Sequence, residues 1–139
     1  MRAVFVYGTL MQGERLSHLI QSAKPQMLVP ARTQGRLVDL GDFPGLIPAR
    51  RTEQWVVGEY VEFECLDSVL PQLDFEEEYL LYDQAKSVYL RRLVPVVLEG
   101  GDERWAWAYL YHRPYDPRSI IPCGNWRQHV AGREKNNGG

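Results

Sequence analysis

The pattern of apolar positions along the chain predicts both strands and helices. Continuous or alternating apolar positions predict strands, and positions spaced three or four residues apart predict helices. Residues 2–7 are almost continuously apolar and predict a buried strand. The next apolar positions keep the i, i+3, i+4, i+7 spacing of one helix face, and they are Leu16, Leu19, Ile20 and Ala23. Pro25 follows them and predicts the end of that helix.

Patterns typical of strands dominate the rest of the chain. Extended runs are predicted over residues 27–40, 54–63, 87–98 and 104–111. The last two runs predict a hairpin about the turn Gly100-Gly101-Asp102. The polar stretch at residues 131–139 predicts a flexible tail, so we expect one domain over residues 1–130.

One predicted strand carries a carboxylate within an apolar row. In this strand the side chains that share one face are Trp55, Val57, Glu59, Val61 and Phe63. Either Glu59 pairs with an arginine or it lines a polar cavity. Pairing is favoured, because buried acids are usually satisfied within the structure.

The second arm of the predicted hairpin is unusually aromatic. One face of it carries Trp105, Trp107, Tyr109 and Tyr111. This face is either the wall of a substrate site or part of the core, and the core is favoured. Tyr109 and Tyr111 are the more informative pair, because a buried phenol hydroxyl needs a hydrogen-bond partner.

A turn-rich loop, Gly41–Gly45, presents a phenylalanine between glycines and a proline. Phe43 either walls a pocket or packs locally within a tight connection. Local packing is the favoured interpretation.

A helix predicted after residue 66 ends in three consecutive glutamates. Its apolar stripe consists of Leu66, Leu70 and Leu73. At about 100° per residue, Glu77 continues this stripe, while Glu76 and Glu78 project to either side. A carboxylate at the end of an apolar stripe loses solvation, which raises its pKa and suits it to accept and return a proton near neutral pH. Periodicity alone also allows a solvated acidic helix end, which is the commoner meaning of a run of charges.

The segment where the first strand ends, Tyr7-Gly8-Thr9-Leu10, is the candidate ligand-binding turn. A strand that breaks at Gly8 and leads to a helix leaves backbone N–H groups unpaired, and the helix dipole adds positive potential. With no Cβ at Gly8, the backbone can approach a ligand closely. Such a turn suits an anion or a developing negative oxygen. On these residues alone, an ordinary strand-to-helix turn is the simpler alternative, and neither a P-loop nor a dinucleotide-binding glycine pattern is present.

Composition and charge narrow the possible partners. The 139 residues are 45% hydrophobic and 24% charged, as in a globular protein, and the net charge of −2 arises from interleaved acids and bases. Nucleic acid is therefore not an expected partner. No apolar run is long enough to span a membrane. Cys65 and Cys123 are expected to be buried thiols of a cytoplasmic protein, and the oligomeric state stays open.

Candidate groups for metal or nucleophilic catalysis are scattered. The three histidines have no metal-ligand spacing, and no nucleophile motif is present. An enzyme with these residues is expected to use a carboxylate and a backbone anion site, without a metal or cofactor. An intramolecular attack fits this set, because ring closure needs only orientation, proton transfer and stabilisation of an oxyanion.

Several short motifs occur together in an order that resembles the gamma-glutamylcyclotransferase-like family. Tyr7-Gly8-Thr9-Leu10 resembles the Tyr-Gly-Ser/Thr-Leu signature, and Leu73-Asp74-Phe75-Glu76-Glu77 resembles the Leu-Asp-x-x-Glu segment that carries the catalytic acid. The other matching segments are Gly58-Glu59-Tyr60, Tyr89 with Arg91-Arg92, Trp107–Tyr111 and Gly124-Asn125-Trp126. Together these segments extend over most of the chain.

The resemblance implies an α+β fold, a small mixed β-barrel with packed helices and a cavity at one end. It also implies a reaction, in which the α-amine of a gamma-glutamyl amine or amino acid attacks its own γ-carbonyl and releases 5-oxoproline. In this reaction Glu77 would be the acid and base. Gly8, Thr9 and Leu10 would bind the substrate through their amides, and Tyr7 and Tyr109 would shape the pocket.

Three alternatives accompany this assignment. The chain departs from the family pattern around the acid, so an alignment anchored on Phe75-Glu76 would choose Glu76, whereas the helical stripe favours Glu77. A non-catalytic small-molecule binding protein on the same fold is the alternative function. A protein-interaction domain would require the tyrosines and tryptophans to form an exposed patch.

Overall fold

The computed structural model describes residues 2–14, 16–76 and 89–137. In these ranges the strands are β1 (Ala3–Val6), β2 (Met27–Gln34), β3 (Arg36–Asp39), β4 (Pro44–Ile47), β5 (Trp55–Glu62), β6 (Tyr89–Leu98), β7 (Glu103–Tyr111) and β8 (Ile120–Ile121). The α-helices are α1 (Ser17–Gln21), α2 (Leu70–Glu76) and α3 (Trp126–Asn137). The predicted α+β class is confirmed.

Five of these strands close into a mixed barrel. β1 pairs antiparallel with β5 and parallel with β7, so the order β1-β5-β2-β6-β7 returns to its start. Val4 lies opposite Trp107 where the barrel closes. The strands β4, β3 and β8 extend the sheet from β7, and the parallel link from β4 to β7 is at Leu46 and Leu110. The closed mixed sheet agrees with the predicted barrel.

Residues on β7 divide between core and solvent in a way that the aromatic pattern did not reveal. Ala106 and Ala108 are completely buried, which places the alanine face of β7 in the core. On the other face, the favoured core assignment is right for Tyr109, which is 2% exposed, and wrong for Trp105, which is 56% exposed. Because a barrel of few strands has little interior volume, small side chains fill it better than tryptophan.

The hairpin of β6 and β7 is confirmed, with Tyr89 opposite Tyr111 and Val97 opposite Glu103. The first helix is shorter than its apolar spacing predicted, since α1 spans five residues, but it ends before Pro25 and buries Ile20. Among the described helices, none is both long and apolar enough to cross a membrane.

Both cysteines are free and exposed, so the expectation of buried thiols was wrong. Cys65 follows β5 and Cys123 precedes α3, and both therefore lie in connections between elements. Such connections run over the surface, because their backbone polar groups need water or local partners.

The start of α3 depends on three consecutive residues with separate roles. A Cβ on Gly124 would overlap the carbonyl oxygen of Trp55, so a larger residue cannot approach β5 in this way. The Oδ1 atom of Asn125 accepts a hydrogen bond from the Gln128 N–H at 3.0 Å and caps the helix. Trp126 is 3% exposed and anchors α3 in the core.

The helix α3 continues to Asn137, so it includes residues 131–137 of the expected flexible tail, and the flexibility of that tail stays a prediction. That expectation rested on the polar composition of the segment. Arg133 supplies contacts that composition does not reveal, because its guanidinium lies over the Trp126 ring and hydrogen-bonds to Asp39 at the end of β3. These contacts tie the middle of α3 to the sheet.

Asp39 is the acceptor that joins α3 to the β3–β4 loop. Its carboxylate lies 2.7 Å from Nε2 of His129 and 2.8 Å from Nη1 of Arg133, and it accepts the Gly41 N–H at 2.8 Å. Burial alone raises the pKa of Asp39. The hydrogen bonds from His129, Gly41 and Arg133 outweigh that effect and hold the pKa below its ordinary value.

We expect Asp39→Asn to destabilise the protein at neutral pH and to have little effect in acid. A lowered pKa in the folded state means that the carboxylate stabilises the fold above the ordinary pKa of 3.8 and loses this effect as the pH falls through the lower, folded value. Urea unfolding at a series of pH values measures the difference. Asp42→Asn, at an exposed position in the β3–β4 loop, is the control, and an Asp39→Asn effect that does not change with pH would contradict the assignment.

Candidate active site

After β1 the chain turns through Tyr7, Gly8, Thr9 and Leu10. The turn is held by a hydrogen bond from the Met11 N–H to the Gly8 carbonyl at 3.0 Å and by one from the Leu16 N–H to the Thr9 carbonyl at 2.7 Å. Among the backbone hydrogen bonds of the described residues, none is donated by the amides of Gly8, Thr9 or Leu10. That these amides bind a ligand stays a prediction.

The predicted helix dipole at this turn was wrong, and the glycine has a packing role that was not predicted. The helix α1 begins only at Ser17, several residues after Leu10, so the turn is not the start of a helix and gains no helix dipole. A Cβ on Gly8 would lie 2.5 Å from Cγ of Pro44, so the glycine is required by packing against β4. The amides of the turn donate no backbone hydrogen bond because β1 ends there and no following element pairs with them.

The turn lines a pocket with residues from β4, β6 and β7. The lining consists of Phe5, Val6, Tyr7, Gly8, Thr9, Leu10, Phe43, Pro44, Tyr89 and Tyr109. The five residues predicted to bind substrate, Tyr7 to Leu10 and Tyr109, are thus neighbours in one cavity. Their role in binding stays a prediction.

Sequence reasoning missed Tyr89 as a pocket residue and ranked Phe43 too low. The Phe43 ring, 37% exposed, lies with its centroid 6.4 Å from that of Tyr89 on β6, so it packs against a distant strand and also lines the pocket. The hydroxyl of Tyr89 donates to the Pro44 carbonyl at 2.8 Å. The signal for Tyr89 was available in the hairpin register, which sets it opposite Tyr111 at the end of the aromatic face.

The tyrosine at the start of the turn is tied to two strands. The Tyr7 hydroxyl donates to the Tyr109 carbonyl at 2.5 Å and accepts the Leu46 N–H at 3.2 Å. One side chain therefore bridges β7 and β4 beneath the pocket. This bridging role explains a buried tyrosine, 7% exposed, at the end of β1.

Helix α2 is attached to the pocket wall through a polar network. The hydroxyl of Tyr109 donates to Oδ1 of Asp74 at 2.6 Å, and Nε of Arg91 lies 3.4 Å from the same oxygen. The Arg91 guanidinium in turn lies 5.0 Å from the centroid of the Trp107 ring. The network fixes the second half of α2 against the β6–β7 hairpin, and Asp74 is the residue whose importance sequence reasoning missed.

The predicted acid and base, Glu77, lies outside the described residues, and so does the side chain of its alternative, Glu76. Their neighbours behave as the helical stripe predicted, since Leu66 and Leu73 are both buried. Within the described part of the chain, no group of three or more His, Cys, Asp and Glu residues could hold a metal ion. Catalysis without a metal or cofactor stays a prediction.

Both alternatives for Glu59 are found together. Its side chain is 9% exposed, its Oε2 lies 3.6 Å from Nη2 of Arg127, and its Oε1 accepts the Gln12 N–H at 2.7 Å. It also lines a surface cavity of about 470 Å³ beside Met11 and Val57. The favoured pairing with an arginine is therefore confirmed.

This protein belongs to the class of five-stranded mixed barrels in which the first strand ends in a turn whose amides donate no backbone hydrogen bond. Solved structures share the fold. YkqA from Bacillus subtilis superposes with a TM-score of 0.73 at 24% identity, over 96% of this chain and 42% of that protein. An AIG2-like protein from Mus musculus superposes with a TM-score of 0.63 at 23% identity, over 91% of this chain and 88% of that one. At these identities the likeness establishes the fold.

Sequence comparison supplies the family. The model of the family described as "Gamma-glutamyl cyclotransferase, AIG2-like" matches residues 4–128. The Gamma-L-glutamyl-butirosin B gamma-glutamyl cyclotransferase of Niallia circulans is 31% identical over 137 residues, which are 95% of this chain and 82% of that protein. The chain belongs to the gamma-glutamyl cyclotransferase, AIG2-like family, and the resemblance predicted from its motifs is confirmed.

We expect Tyr109→Phe to lower the free energy of unfolding by about 1.5–3 kcal/mol, because a hydrogen bond to a charged carboxylate is lost while the ring is kept. Urea unfolding at neutral pH measures this change. Tyr111→Phe is the matched control, since the Tyr111 hydroxyl donates to the exposed carbonyl of Pro114 at 3.1 Å. Equal losses in the two variants would show that the bond to Asp74 does not hold α2 in place.

Proposed function

We propose that this protein is a gamma-glutamylcyclotransferase that releases 5-oxoproline from a gamma-glutamyl amine or amino acid. Membership of the family supports this activity, as does the relative from Niallia circulans, whose name describes a cyclotransferase acting on a gamma-glutamyl compound. The observation that carries the proposal is the pocket at the end of β1, where three amides that donate no backbone hydrogen bond meet the side chains of Tyr7 and Tyr109.

The reaction is an intramolecular transfer of the γ-acyl group. The α-ammonium group gives up one proton before its nitrogen attacks the γ-carbonyl carbon and a second proton as the five-membered ring closes. The original amide C–N bond then breaks, and the leaving nitrogen takes up two protons and departs as an ammonium group. No water or redox partner is consumed, and the attack benefits from the high effective concentration of a nucleophile in the same molecule.

The residues predicted from the sequence have separate roles in proton transfer, binding of negative oxygens and shaping of the pocket. Glu77 accepts the proton of the α-ammonium group and returns it to the leaving nitrogen. The amides of Gly8, Thr9 and Leu10 hold either the substrate carboxylate or the oxyanion formed at the γ-carbonyl. The rings of Tyr7 and Tyr109 shape the pocket.

The proposal also includes the cofactor requirement, the substrate class and the cellular location of the enzyme. The reaction as written requires no metal or cofactor, because the nucleophile belongs to the substrate and the proton carrier to the protein. The substrate is a small gamma-glutamyl molecule, and the cytoplasm is the proposed location, since both exposed thiols are free.

We expect Glu77→Gln to reduce release of 5-oxoproline by about 10²–10⁴-fold, because an amide of the same shape cannot accept the proton. The measurement is 5-oxoproline formation from a panel of gamma-glutamyl amines and amino acids. Glu76→Gln is the matched control and should retain most of the activity.

Three results would contradict parts of this proposal. An active Glu77→Gln variant with an inactive Glu76→Gln variant would transfer the acid and base role to Glu76. Two active variants would remove the carboxylate mechanism. Binding of gamma-glutamyl compounds without turnover by the unmodified protein would favour a small-molecule binding protein on this fold.

A further inference from the structure

The carboxylate of Glu59 is buried beside the loop that follows the pocket turn. The residue is 7% exposed, and its backbone lies opposite Val6, the last residue of β1. Burying a carboxylate is costly unless it is paired and hydrogen-bonded, and an apolar residue of similar volume would pack β5 equally well. The contacts of the carboxylate indicate what it contributes instead.

Glu59 and Arg127 hold both backbone polar groups of Gln12. The Gln12 N–H donates to Oε1 of Glu59 at 2.7 Å, and the Gln12 carbonyl accepts a hydrogen bond from Nη2 of Arg127. The same Nη2 lies 3.6 Å from Oε2 of Glu59, so the two side chains also hold each other. We refer to Glu59, Arg127 and the Gln12 backbone as the Gln12 clamp.

The clamp fixes the far end of the pocket turn. At its near end, the turn is fixed by the pairing of Val6 with Glu59 in the sheet. Between Val6 and Gln12 lie the residues of the turn that line the pocket, and one hydrogen bond within this segment, from Met11 to Gly8, shapes them. Glu59 therefore contacts both ends of the turn, one through its backbone and the other through its side chain.

Arg127 is placed for this contact by the beginning of α3. The neighbouring residues Gly124, Asn125 and Trp126 fix the start of that helix against β5, by close approach, capping and burial respectively. Arg127 follows directly, and its side chain is 44% exposed. A guanidinium at this point reaches the loop without itself being buried.

We propose that Glu59 and Arg127 are positioning residues for the active site, acting through Gln12 to keep the amides of Gly8, Thr9 and Leu10 in their binding geometry. This inference rests on the proposed function for its effect on catalysis. Neither side chain is among the residues that line the pocket at the end of β1. A shift of about 1 Å in groups that orient a substrate can cost about 10²-fold in rate, which is the scale of effect that loss of the clamp should have.

The first experiment compares Glu59→Ala with Glu62→Ala, a matched control on the same strand whose carboxylate accepts the Tyr60 hydroxyl at 3.0 Å. We expect Glu59→Ala to speed hydrogen exchange of the Gln12 amide by about tenfold or more and to lower kcat/KM by about 10–100-fold. Glu59→Gln keeps an oxygen for the Gln12 N–H and should recover most of the protection and part of the activity. Glu62→Ala should change neither measurement.

The second experiment uses Arg127→Met, which alters an exposed side chain and leaves the core intact, with Arg118→Met as its surface control. We expect the kcat/KM of Arg127→Met to fall. The double variant of Glu59→Ala and Arg127→Met should have a kcat/KM no lower than that of the less active single variant, because both side chains act on one residue. Losses that multiply in the double variant would overturn a shared clamp. Circular dichroism and thermal unfolding establish that each variant is folded.

The outcomes separate the clamp from the proposed reaction. Faster Gln12 exchange with unchanged kcat/KM in both single variants would overturn the positioning role and leave the cyclotransferase assignment intact. If the unmodified protein releases no 5-oxoproline, the proposed function fails. In that case the amide exchange of Gln12 and the backbone chemical shifts of Gly8 to Leu10 still decide the clamp, which is overturned if Glu59→Ala leaves them unchanged.

Discussion

The hydroxyl of Tyr7 makes the two hydrogen bonds on which this end of the barrel depends. It donates to the Tyr109 carbonyl on β7 and accepts the Leu46 N–H on β4, where these two strands run parallel. A buried backbone group without a hydrogen-bond partner costs about 1–3 kcal/mol. The Tyr7 hydroxyl removes this cost for two backbone groups, the Tyr109 carbonyl and the Leu46 N–H. Because Tyr7 directly precedes Gly8, the same side chain stabilises both the contact between β4 and β7 and the start of the pocket turn.

The polar contacts around the pocket follow a common arrangement, in which side chains from the sheet and helices hold segments that the sheet cannot pair. Asp74 and Arg91 hold α2 against Tyr109, and Glu59 and Arg127 hold the loop after the turn. Loops carry ligand-binding groups but have few contacts of their own. A rigid barrel with directed polar contacts to such segments can keep backbone donors aligned without burying them in secondary structure.

The sequence predicted the parts of this fold that depend on local periodicity. The strand before Tyr7, the β6–β7 hairpin and the buried positions Leu66 and Leu73 follow from apolar spacing alone. The exposure of Trp105 did not follow, because spacing identifies two faces but not which face the barrel has room to bury. Motif order supplied the family, which no single pattern could.

Contacts between distant residues account for most of what the sequence could not predict. The bond from Tyr109 to Asp74 joins residues 35 positions apart, and the contact from Arg133 to Asp39 joins residues 94 apart. The latter holds the middle of α3 against the sheet, a contact that the polar composition of this segment does not reveal. Glu59 was the exception among these distant contacts. A carboxylate in an apolar row predicts a pairing partner, although the sequence does not identify which residue it is.

The contact between Gln12 and Arg127 spans 115 residues of chain. A ribosome adds residues over seconds, so the first strand and its turn emerge long before the arginine that will hold them. The barrel itself must also wait, because β1 closes only against the late strand β7. Once β5 has paired with β1, the other edge of this apolar strand stays open until β7 is made, and an open apolar edge is the kind of surface that aggregates during synthesis.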